Sequence, residues 1–222
     1  VGGIAVWDLW GSGGKGVRYP IAAADAVMSP GTGEQIIALR SSGSLHVFNV
    51  ARKLKLRAQP MAADLSLWRW LDPNTLALVT PQSVYHWGIQ GTQTPSKAFD
   101  RAHTLQTPVH GGGGRRRQHL CCYQATLDRR WGLLALAEAG EDEGEGACQI
   151  SLNLDLRDCS RGVTHRLQAL GAALLLSNAP SAVSGGGIHL AMVVAGAGEE
   201  GGRSHQLRVL DLESPTPART SG

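Results

Sequence analysis

The chain has 222 residues, of which 42% are hydrophobic and 18% are charged, and its formal net charge is +3. This composition supplies enough apolar material for a packed core and excludes general disorder, while so mild a charge gives no argument for nucleic-acid binding. No stretch reaches the roughly 18 apolar residues that a membrane-spanning helix needs.

Pairs of predicted strands recur along the chain, each joined by a turn or a glycine-rich loop. In every pair the first strand is apolar on both faces, and the second strand alternates between apolar and polar residues. The first strands begin about 40, 57 and 56 residues apart, which favours the blades of a β-propeller. The pairs are Gln35–Arg40 with Ser44–Val50, Thr75–Thr80 with Ser83–Gly88, Gly132–Ala137 with Ala147–Leu154, and Ile188–Ala195 with Gln206–Leu212.

The predicted fold is all-β, a partial β-propeller of about four blades over residues 1–213, with residues 214–222 as a linker or loop toward a missing blade. Ile4–Leu9 fits the last strand of an earlier blade. A β-sandwich is the alternative architecture. Ala22–Ala26 and Gln168–Leu176 contain helix-compatible residues that could equally form strands or connections.

Leu67–Trp87 contains three of the six tryptophans of the chain, which are Trp68, Trp70 and Trp87. A large aromatic side chain buries much surface, and wedge-shaped blades need bulky side chains between them. We therefore expect these tryptophans to pack between sheets rather than to bind a ligand.

The residues that could carry chemistry are scattered. None of the eight histidines forms an HxH or HExxH pattern, no pair of cysteines has CxxC spacing, and no GxSxG nucleophile elbow occurs. Gly111–Arg117 lacks the Gly-Lys-Ser/Thr end of a phosphate-binding loop. The sequence therefore predicts a protein that is not an enzyme and has no metal or cofactor. It predicts buried free thiols for the cysteines, which are Cys121, Cys122, Cys148 and Cys159.

Leu67–Trp87 resembles the amino-terminal β-propeller of the clathrin heavy chain family. Tyr19–Pro30, Ile36–Lys55 and Lys97–Leu105 resemble the same domain, in the same order and at nearly the same spacing. The similarity is strong over residues 17–105, weaker over 115–170 and faint over 188–215. The resemblance implies that the chain lacks the first and last blades of a seven-bladed ring and the long helical leg that follows it.

In function, the resemblance implies a binding module at the foot of a three-legged cage protein. Its partners would be adaptor and accessory proteins, recognised through short acidic and hydrophobic peptides. In the full-length protein they would also be the heavy chain trimer and its light chains. It implies coat assembly and endocytosis at the cytoplasmic face of coated pits and vesicles, with neither nucleic-acid binding nor insertion into the membrane.

The best-known peptide groove of the family lies between its first two blades. An extended peptide places alternate side chains in apolar pockets, and basic residues at the rim meet its acidic residues. Position by position, the resemblance assigns this groove to Val17, Tyr19, Ile37, Ser44, His46, Phe48, Lys53 and Lys55. Ile37 and Phe48 would form the apolar wall, and the two lysines would supply positive charge.

Two positions depart from the family pattern, which usually has a basic residue at Tyr19 and a glutamine at His46. The loss of one rim cation would weaken attraction for acidic peptides, although Arg18 is adjacent. These departures motivate an alternative, in which the domain is a structural spacer with degenerate grooves.

A second family groove, between the fourth and fifth blades, takes another hydrophobic peptide. The corresponding residues are Trp131, Ile150, Arg161, Val163, His165 and Leu167. A third, central site would include His119, Cys121 and Ala137, which differ from the usual residues of the family.

Overall fold

A computed structural model describes residues 3–7, 16–31, 34–61, 64–101, 117–139, 150–176, 187–197 and 203–212 of the chain. These residues form 17 strands in antiparallel sheets and no helix. The chain divides into two compact units, Val1–Ala102 and His103–Gly222.

The first unit contains a two-stranded sheet and two four-stranded sheets. The two-stranded sheet pairs β1 with β2, sheet B has the order β3-β4-β5-β6, and sheet C has the order β7-β8-β9-β10. Within each sheet, every strand therefore pairs with its neighbours in sequence. The strands are β1 (Ile4–Trp7), β2 (Gly16–Tyr19), β3 (Asp25–Met28), β4 (Ile36–Ser41), β5 (Ser44–Asn49), β6 (Leu54–Pro60), β7 (Leu67–Asp72), β8 (Thr75–Val79), β9 (Ser83–Gly88) and β10 (Ser96–Asp100).

The second unit contains one four-stranded and one three-stranded sheet. Sheet D has the order β11-β12-β13-β14, and sheet E has the order β15-β16-β17. The strands are β11 (Arg117–Ala125), β12 (Trp131–Ala139), β13 (Ile150–Asp158), β14 (Val163–Ala169), β15 (Gly171–Leu176), β16 (Ile188–Ala197) and β17 (Arg203–Asp211).

Short turns account for this up-and-down order. Ser42 and Gly43 join β4 to β5 and have φ angles of 47° and 74°. Two consecutive left-handed residues are what a two-residue hairpin turn requires, because that turn matches the twist of the strands. The strands that it joins stay in register from Ser41 opposite Ser44 to Ile36 opposite Asn49.

The predicted fold class is confirmed. Each of the eight predicted strands overlaps a strand of the structure in its described residues, and the helix-compatible segments contribute to β3, β14 and β15. A sandwich would place its strands in two sheets, whereas the described residues form five, in successive antiparallel meanders. These meanders are blades of a partial β-propeller.

The first core cluster lies between sheets B and C. Alternate residues of β5, Leu45 and Val47, are fully buried in it together with Leu76 and Leu78 of β8. The inner strands are apolar because residues on both of their faces are covered, as the sequence predicted. The tryptophan prediction is confirmed too, since Trp68, Trp70 and Trp87 belong to this cluster.

Two of these tryptophans also bond to sheet B. The Trp68 indole donates to the Asp25 carboxylate Oδ2 at 2.9 Å, and the Trp70 indole donates to the Val27 carbonyl at 3.0 Å. Both acceptors lie on β3 and both donors lie on β7. Buried indole N–H groups need such partners, so the two bonds fix sheet B relative to sheet C.

The second core cluster lies between sheets D and E. It contains Leu133, Leu154 and Leu156 from sheet D and Leu190 and Met192 from β16. The Gln124 side-chain carbonyl accepts a hydrogen bond of 2.7 Å from the backbone N–H of Leu174, which adds a polar tie between these sheets.

Several expectations concern residues outside the described ranges. These are the structure of residues 102–116, 140–149 and 213–222, and that of the loop residues 198–202. Within the described ranges, the chain contains no helix of the length and hydropathy needed to cross a bilayer.

We predict that Trp68 and Asp25 are energetically coupled through their hydrogen bond. In a double-mutant cycle, Trp68→Phe removes the donor and Asp25→Ala removes the acceptor. Because a hydrogen bond to a charged group contributes roughly 1.5–3 kcal/mol, the cycle should show a coupling of about 1–2 kcal/mol in denaturant unfolding. Additive single-site effects would contradict this bond.

Candidate peptide-binding face

The face of sheet B that points away from sheet C carries the centre of the predicted first groove. Along β5 the buried residues Leu45, Val47 and Asn49 alternate with half-buried residues. The half-buried residues are Ser44, His46 and Phe48, three of the predicted site residues. Since successive strand residues point to opposite faces, these three share one face, which we call the outer face of sheet B.

A row of side chains crosses this outer face. Ile37 on β4 lies directly opposite Phe48 on β5, and Phe48 lies opposite Lys55 on β6. Directly opposed residues of antiparallel strands have Cβ atoms roughly 4.5–5.5 Å apart. The predicted apolar wall and one predicted cation therefore form one continuous row. Ile37 is only 4% exposed, whereas Phe48 beside it is half buried and so offers the accessible ring.

A β-bulge places Lys55 on the outer face. Val47 pairs with Arg57 and Phe48 pairs with Lys55, so Leu56 is an extra residue between them. Without that extra residue the alternation would turn Lys55 toward sheet C. The bulge also directs Leu56 into the first core cluster. Arg57, opposite Val47, places its guanidinium 5.6 Å from the centre of the Trp87 ring.

The turn between β5 and β6 positions the second lysine. The buried Asn49 side chain accepts a hydrogen bond of 3.0 Å from the Arg52 N–H, and the Lys53 N–H donates to the Val50 carbonyl at 3.2 Å. Lys53 itself has a φ of 54° and is exposed. Lys55 therefore ends the Phe48 row and Lys53 lies in the turn just before β6, while Arg52 forms an ion pair with Glu34 at 2.8 Å.

His46 lies one row from Phe48 on the same face, with the two ring centroids 6.3 Å apart. Burial lowers the pKa of His46 below its usual 6.5, and the positive charge of Lys55 lowers it further. A neutral imidazole at pH 7 adds no cation to the face. Its Nδ1 atom is buried and has no hydrogen-bond partner among the described residues.

Val17 and Tyr19 belong to a different sheet. Both lie on β2, which pairs with β1 and not with sheet B. Val17 is 53% exposed and Tyr19 is half buried. The structure thus assembles six of the eight predicted residues on sheet B and its turn, and the participation of the other two stays a prediction.

The second predicted groove maps to the gap between sheets D and E. Val163, His165 and Leu167 alternate along β14, so they share one face, and Leu167 packs against the second core cluster. Trp131 is in the same cluster and 6% exposed. Burial increases along β14 from Val163 to Ala169, so this face is open at the Val163 end and closed at the other. Ile150 begins β13, and its side chain lies outside the described set.

Asp158 organises the turn between β13 and β14, next to the open end of this second groove. Its buried carboxylate Oδ1 accepts hydrogen bonds from the Ser160 hydroxyl at 2.6 Å and from the Ser160 and Arg161 N–H groups at 3.0 and 3.1 Å. Burial raises the pKa of Asp158, but these bonds together with the Arg130 charge outweigh it and leave the pKa below its ordinary value. The Arg161 side chain stays largely exposed, 3.7 Å from the same carboxylate.

The residues of the third family site lie on sheet D, where His119 is opposite Ala137. Cys121 is the extra residue of a β-bulge on β11, and its thiol donates to the Ala135 carbonyl at 3.2 Å. The prediction of buried thiols is wrong for Cys121, which is exposed because the bulge turns it out of the sheet, and Cys122 and Cys159 are only half buried. Cys148 lies outside the described residues. Nowhere in the described ranges do three or more potential metal ligands cluster.

Sequence reasoning missed three residues of these sites. Leu56 and Arg57 decide which way Lys55 points, and Asp158 organises the turn that presents Arg161. The bulge leaves no mark in the hydrophobic pattern, because one extra residue in an alternating strand resembles ordinary variation. The Asp158 turn could have been found, since an Asp followed two residues later by Ser favours such side-chain-to-backbone bonds.

We predict that an NMR titration of the folded chain gives His46 a pKa below 6.5. Lys55→Gln should raise that pKa only partly, because burial remains. The proton binds the unfolded chain more tightly, so this site's contribution to stability is complete above pH 6.5 and is lost as the pH falls through the folded pKa. A pKa of 6.5 or higher, or no response to Lys55→Gln, would contradict the described environment.

Comparison with known proteins finds clathrin heavy chains. The chain is 35% identical over 134 residues to human clathrin heavy chain 2, and 35% identical over 133 residues to the Drosophila melanogaster clathrin heavy chain. Each match covers 60% of this chain. The Dictyostelium discoideum clathrin heavy chain is 42% identical over 90 residues, which is 40% of this chain.

These matches cover a small part of each relative. The chain spans 7% of the human and Drosophila proteins and 5% of the Dictyostelium protein. No protein-family model matches the chain. Among solved structures, the AfRom2 CNH domain covers 93% of this chain at 13% identity with a TM-score of 0.38, a likeness too low to support an argument. The sequence matches confirm the resemblance drawn from Leu67–Trp87 and its neighbours: the chain is similar to a segment of the clathrin heavy chain.

Proposed function

We propose that the outer face of sheet B binds short acidic, leucine-rich peptides of adaptor proteins, and that the chain serves a clathrin coat in this way at the cytoplasmic face of coated vesicles. The observation that carries the proposal is the row from Ile37 through Phe48 to Lys55, with the exposed Lys53 in the turn before β6. Sequence similarity to clathrin heavy chains supports a role in vesicle coat assembly. In the full-length protein, the partners would include the heavy chain trimer and its light chains.

The chemistry of the row suits an amphipathic peptide. Phe48 presents a half-buried ring beside the buried Ile37, so a leucine placed on it would leave water without opening the core. An extended peptide alternates its side chains, so the residues between its apolar anchors would point toward solvent. Acidic residues at one end would meet Lys53 and Lys55, which are exposed.

The core behind the face supports its role as a docking surface. Leu45 and Val47 are fully buried under it, and the Trp68 and Trp70 bonds hold sheet B in place. A rigid backbone lowers the ordering cost of binding, so a short peptide can gain useful affinity from few contacts. In a structural spacer, by contrast, nothing would require Phe48 to stay accessible beside two lysines.

A second peptide site at Val163, His165 and Leu167 is part of the same proposal. These side chains line the open end of the gap between sheets D and E, and Arg161 lies at its mouth. Trp131 lies in the same cross-strand row as Val163 and is buried in the core cluster. Ile150 and the two β2 residues, Val17 and Tyr19, would complete the respective grooves.

The first test is Phe48→Ala, measured by titrating the labelled peptide into the folded chain. We expect binding to weaken by about 1–3 kcal/mol, because truncation removes a buried apolar anchor. The matched control is Leu54→Ala. Leu54 is more exposed, at 52%, but pairs with Asn49 and therefore lies on the opposite face.

The outcomes separate the two functions. Weaker binding in Phe48→Ala with unchanged binding in Leu54→Ala supports the proposal. Equal effects in both variants would place the peptide elsewhere. A folded wild-type chain that binds no peptide at millimolar concentration would favour the structural spacer.

The second test reverses the charge of Lys53 and Lys55 together. Lys53→Glu plus Lys55→Glu should lower the association rate and flatten its dependence on salt, because rim charges mainly steer encounter. A control of equal net charge, Lys97→Glu plus Arg166→Glu, alters exposed cations on sheets C and D and should change the rate much less. Equal association rates in the two double variants would show that Lys53 and Lys55 are not part of the site.

A further inference from the structure

The imidazole of His46 has one closed side and one open side. Within its described ranges the structure gives His46 no hydrogen bond or ion pair, and of the two ring nitrogens only Nδ1 is buried. Nε2 is therefore open to solvent on the outer face of sheet B. It is a polar atom of this face that the row of Ile37, Phe48 and Lys55 does not use.

The neighbours of His46 explain why Nδ1 has no partner. Leu39 lies directly opposite His46 on β4, and Ala58 lies directly opposite it on β6. Neither side chain can donate or accept a hydrogen bond. Buried N–H groups without an acceptor are rarer than buried acceptors without a donor. The neutral ring therefore carries its proton on Nε2 and presents a donor to solvent.

The open side of His46 lies near the ammonium group of Lys55. His46 is two residues before Phe48 on β5, with the ring centroids 6.3 Å apart, and Lys55 lies directly opposite Phe48 on β6. The charge of Lys55 acts on His46 strongly enough to lower its pKa, beyond the lowering that burial causes. Phe48 is thus an apolar anchor with a hydrogen-bond donor on two of its sides.

The other side chains around His46 add no second titrating group. Ser44 and Phe48, its neighbours on this face of β5, are uncharged. Arg57 lies opposite Val47 and so points to the other face, and Lys53 lies in the turn before β6. Lysine and arginine keep their charge well above pH 7. A change in the charge of this part of the face between pH 7.5 and 5.5 therefore belongs to His46.

We propose that His46 and Lys55 together hold one carboxylate of the bound peptide, and that acid strengthens their hold. This inference rests on the proposed function, because it needs a peptide on the row through Phe48. A carboxylate accepts several donors, so Nε2–H of His46 donates to one oxygen while the ammonium group of Lys55 bonds the other. A proton taken up from solvent at Nδ1 makes the ring a cation, and its hydrogen bond becomes charge-assisted.

Two opposing effects set the direction of the pH dependence. Burial and Lys55 oppose the second proton in the free chain, and the peptide carboxylate favours it in the complex. The pKa of His46 is therefore higher in the complex than in the free chain. Binding then takes up a proton, so the dissociation constant falls as the pH falls toward the lower of these two values.

The first experiment titrates the labelled acidic, leucine-rich peptide into the folded chain at pH 7.5 and at pH 5.5. We expect the dissociation constant to fall about threefold at the lower pH, the effect of one exposed ion pair. A matched peptide with amides in place of its side-chain carboxylates should bind equally at both values. Equal affinity for the acidic peptide at both values, in a chain that binds it through Phe48, would overturn this inference and leave the proposed function standing.

The matched variants are His46→Gln and His205→Gln. His46→Gln keeps a neutral donor, so it should bind within about twofold of the wild type at pH 7.5 and lose the pH response. His205 is exposed on β17 in the second unit, so His205→Gln should keep the response. Melting curves at both pH values should show that the variants fold alike. A response that His46→Gln keeps, or that His205→Gln loses, would overturn the inference.

NMR of the histidine rings supplies a readout that does not depend on affinity. At pH 7.5 the nitrogen shifts of the free chain should place the proton of His46 on Nε2. Saturation with the acidic peptide should raise the pKa of His46, and saturation with the amide peptide should not. A proton on Nδ1, or an unchanged pKa in the acidic complex, would overturn the inference. A chain that binds neither peptide would overturn the proposed function and this inference with it.

Discussion

The alternation of side chains along a strand is the constraint on which the rest of the structure depends. Each four-stranded sheet has two faces, and an isolated sheet could bury neither. Sheet B buries Leu45 and Val47 against sheet C, and the indoles of Trp68 and Trp70 bond to β3 across that boundary. Once one face is fixed in this way, the period of two leaves Ser44, His46 and Phe48 on the other face.

The β-bulge at Leu56 decides which face of sheet B carries Lys55. An uninterrupted β6 would have placed Lys55 on the buried side, where an ammonium group would need a partner. The extra residue instead gives the core an apolar Leu56 and an Arg57 whose guanidinium hydrogen-bonds to the Gly91 and Gln93 carbonyls. The same local irregularity therefore stabilises the contact between two sheets and exposes a cation beside Phe48.

Much of this arrangement could be predicted from the sequence. The apolar strands Gln35–Arg40 and Thr75–Thr80 were visible because both of their faces are covered, and the grouped tryptophans indicated contact between sheets. Which face Lys55 occupies could not be predicted, because register depends on one extra residue that the alternation does not reveal. The position of Val17 and Tyr19 relative to Phe48 depends on how separate sheets meet, which local patterns do not encode. Exposure of Cys121 was missed for the same reason as Lys55, since it too follows from a bulge.

The claim that the outer face of sheet B receives a peptide can be tested most directly by intermolecular NOEs. The labelled chain would be saturated with an unlabelled acidic, leucine-rich peptide, and contacts from the leucine methyl groups would be assigned. The account predicts contacts to the Phe48 ring, with none to the Trp68 or Trp70 indoles, which are buried between sheets B and C. A saturated complex whose leucine methyls contact the tryptophans, or contact neither Phe48 nor its neighbours on β5, would contradict it.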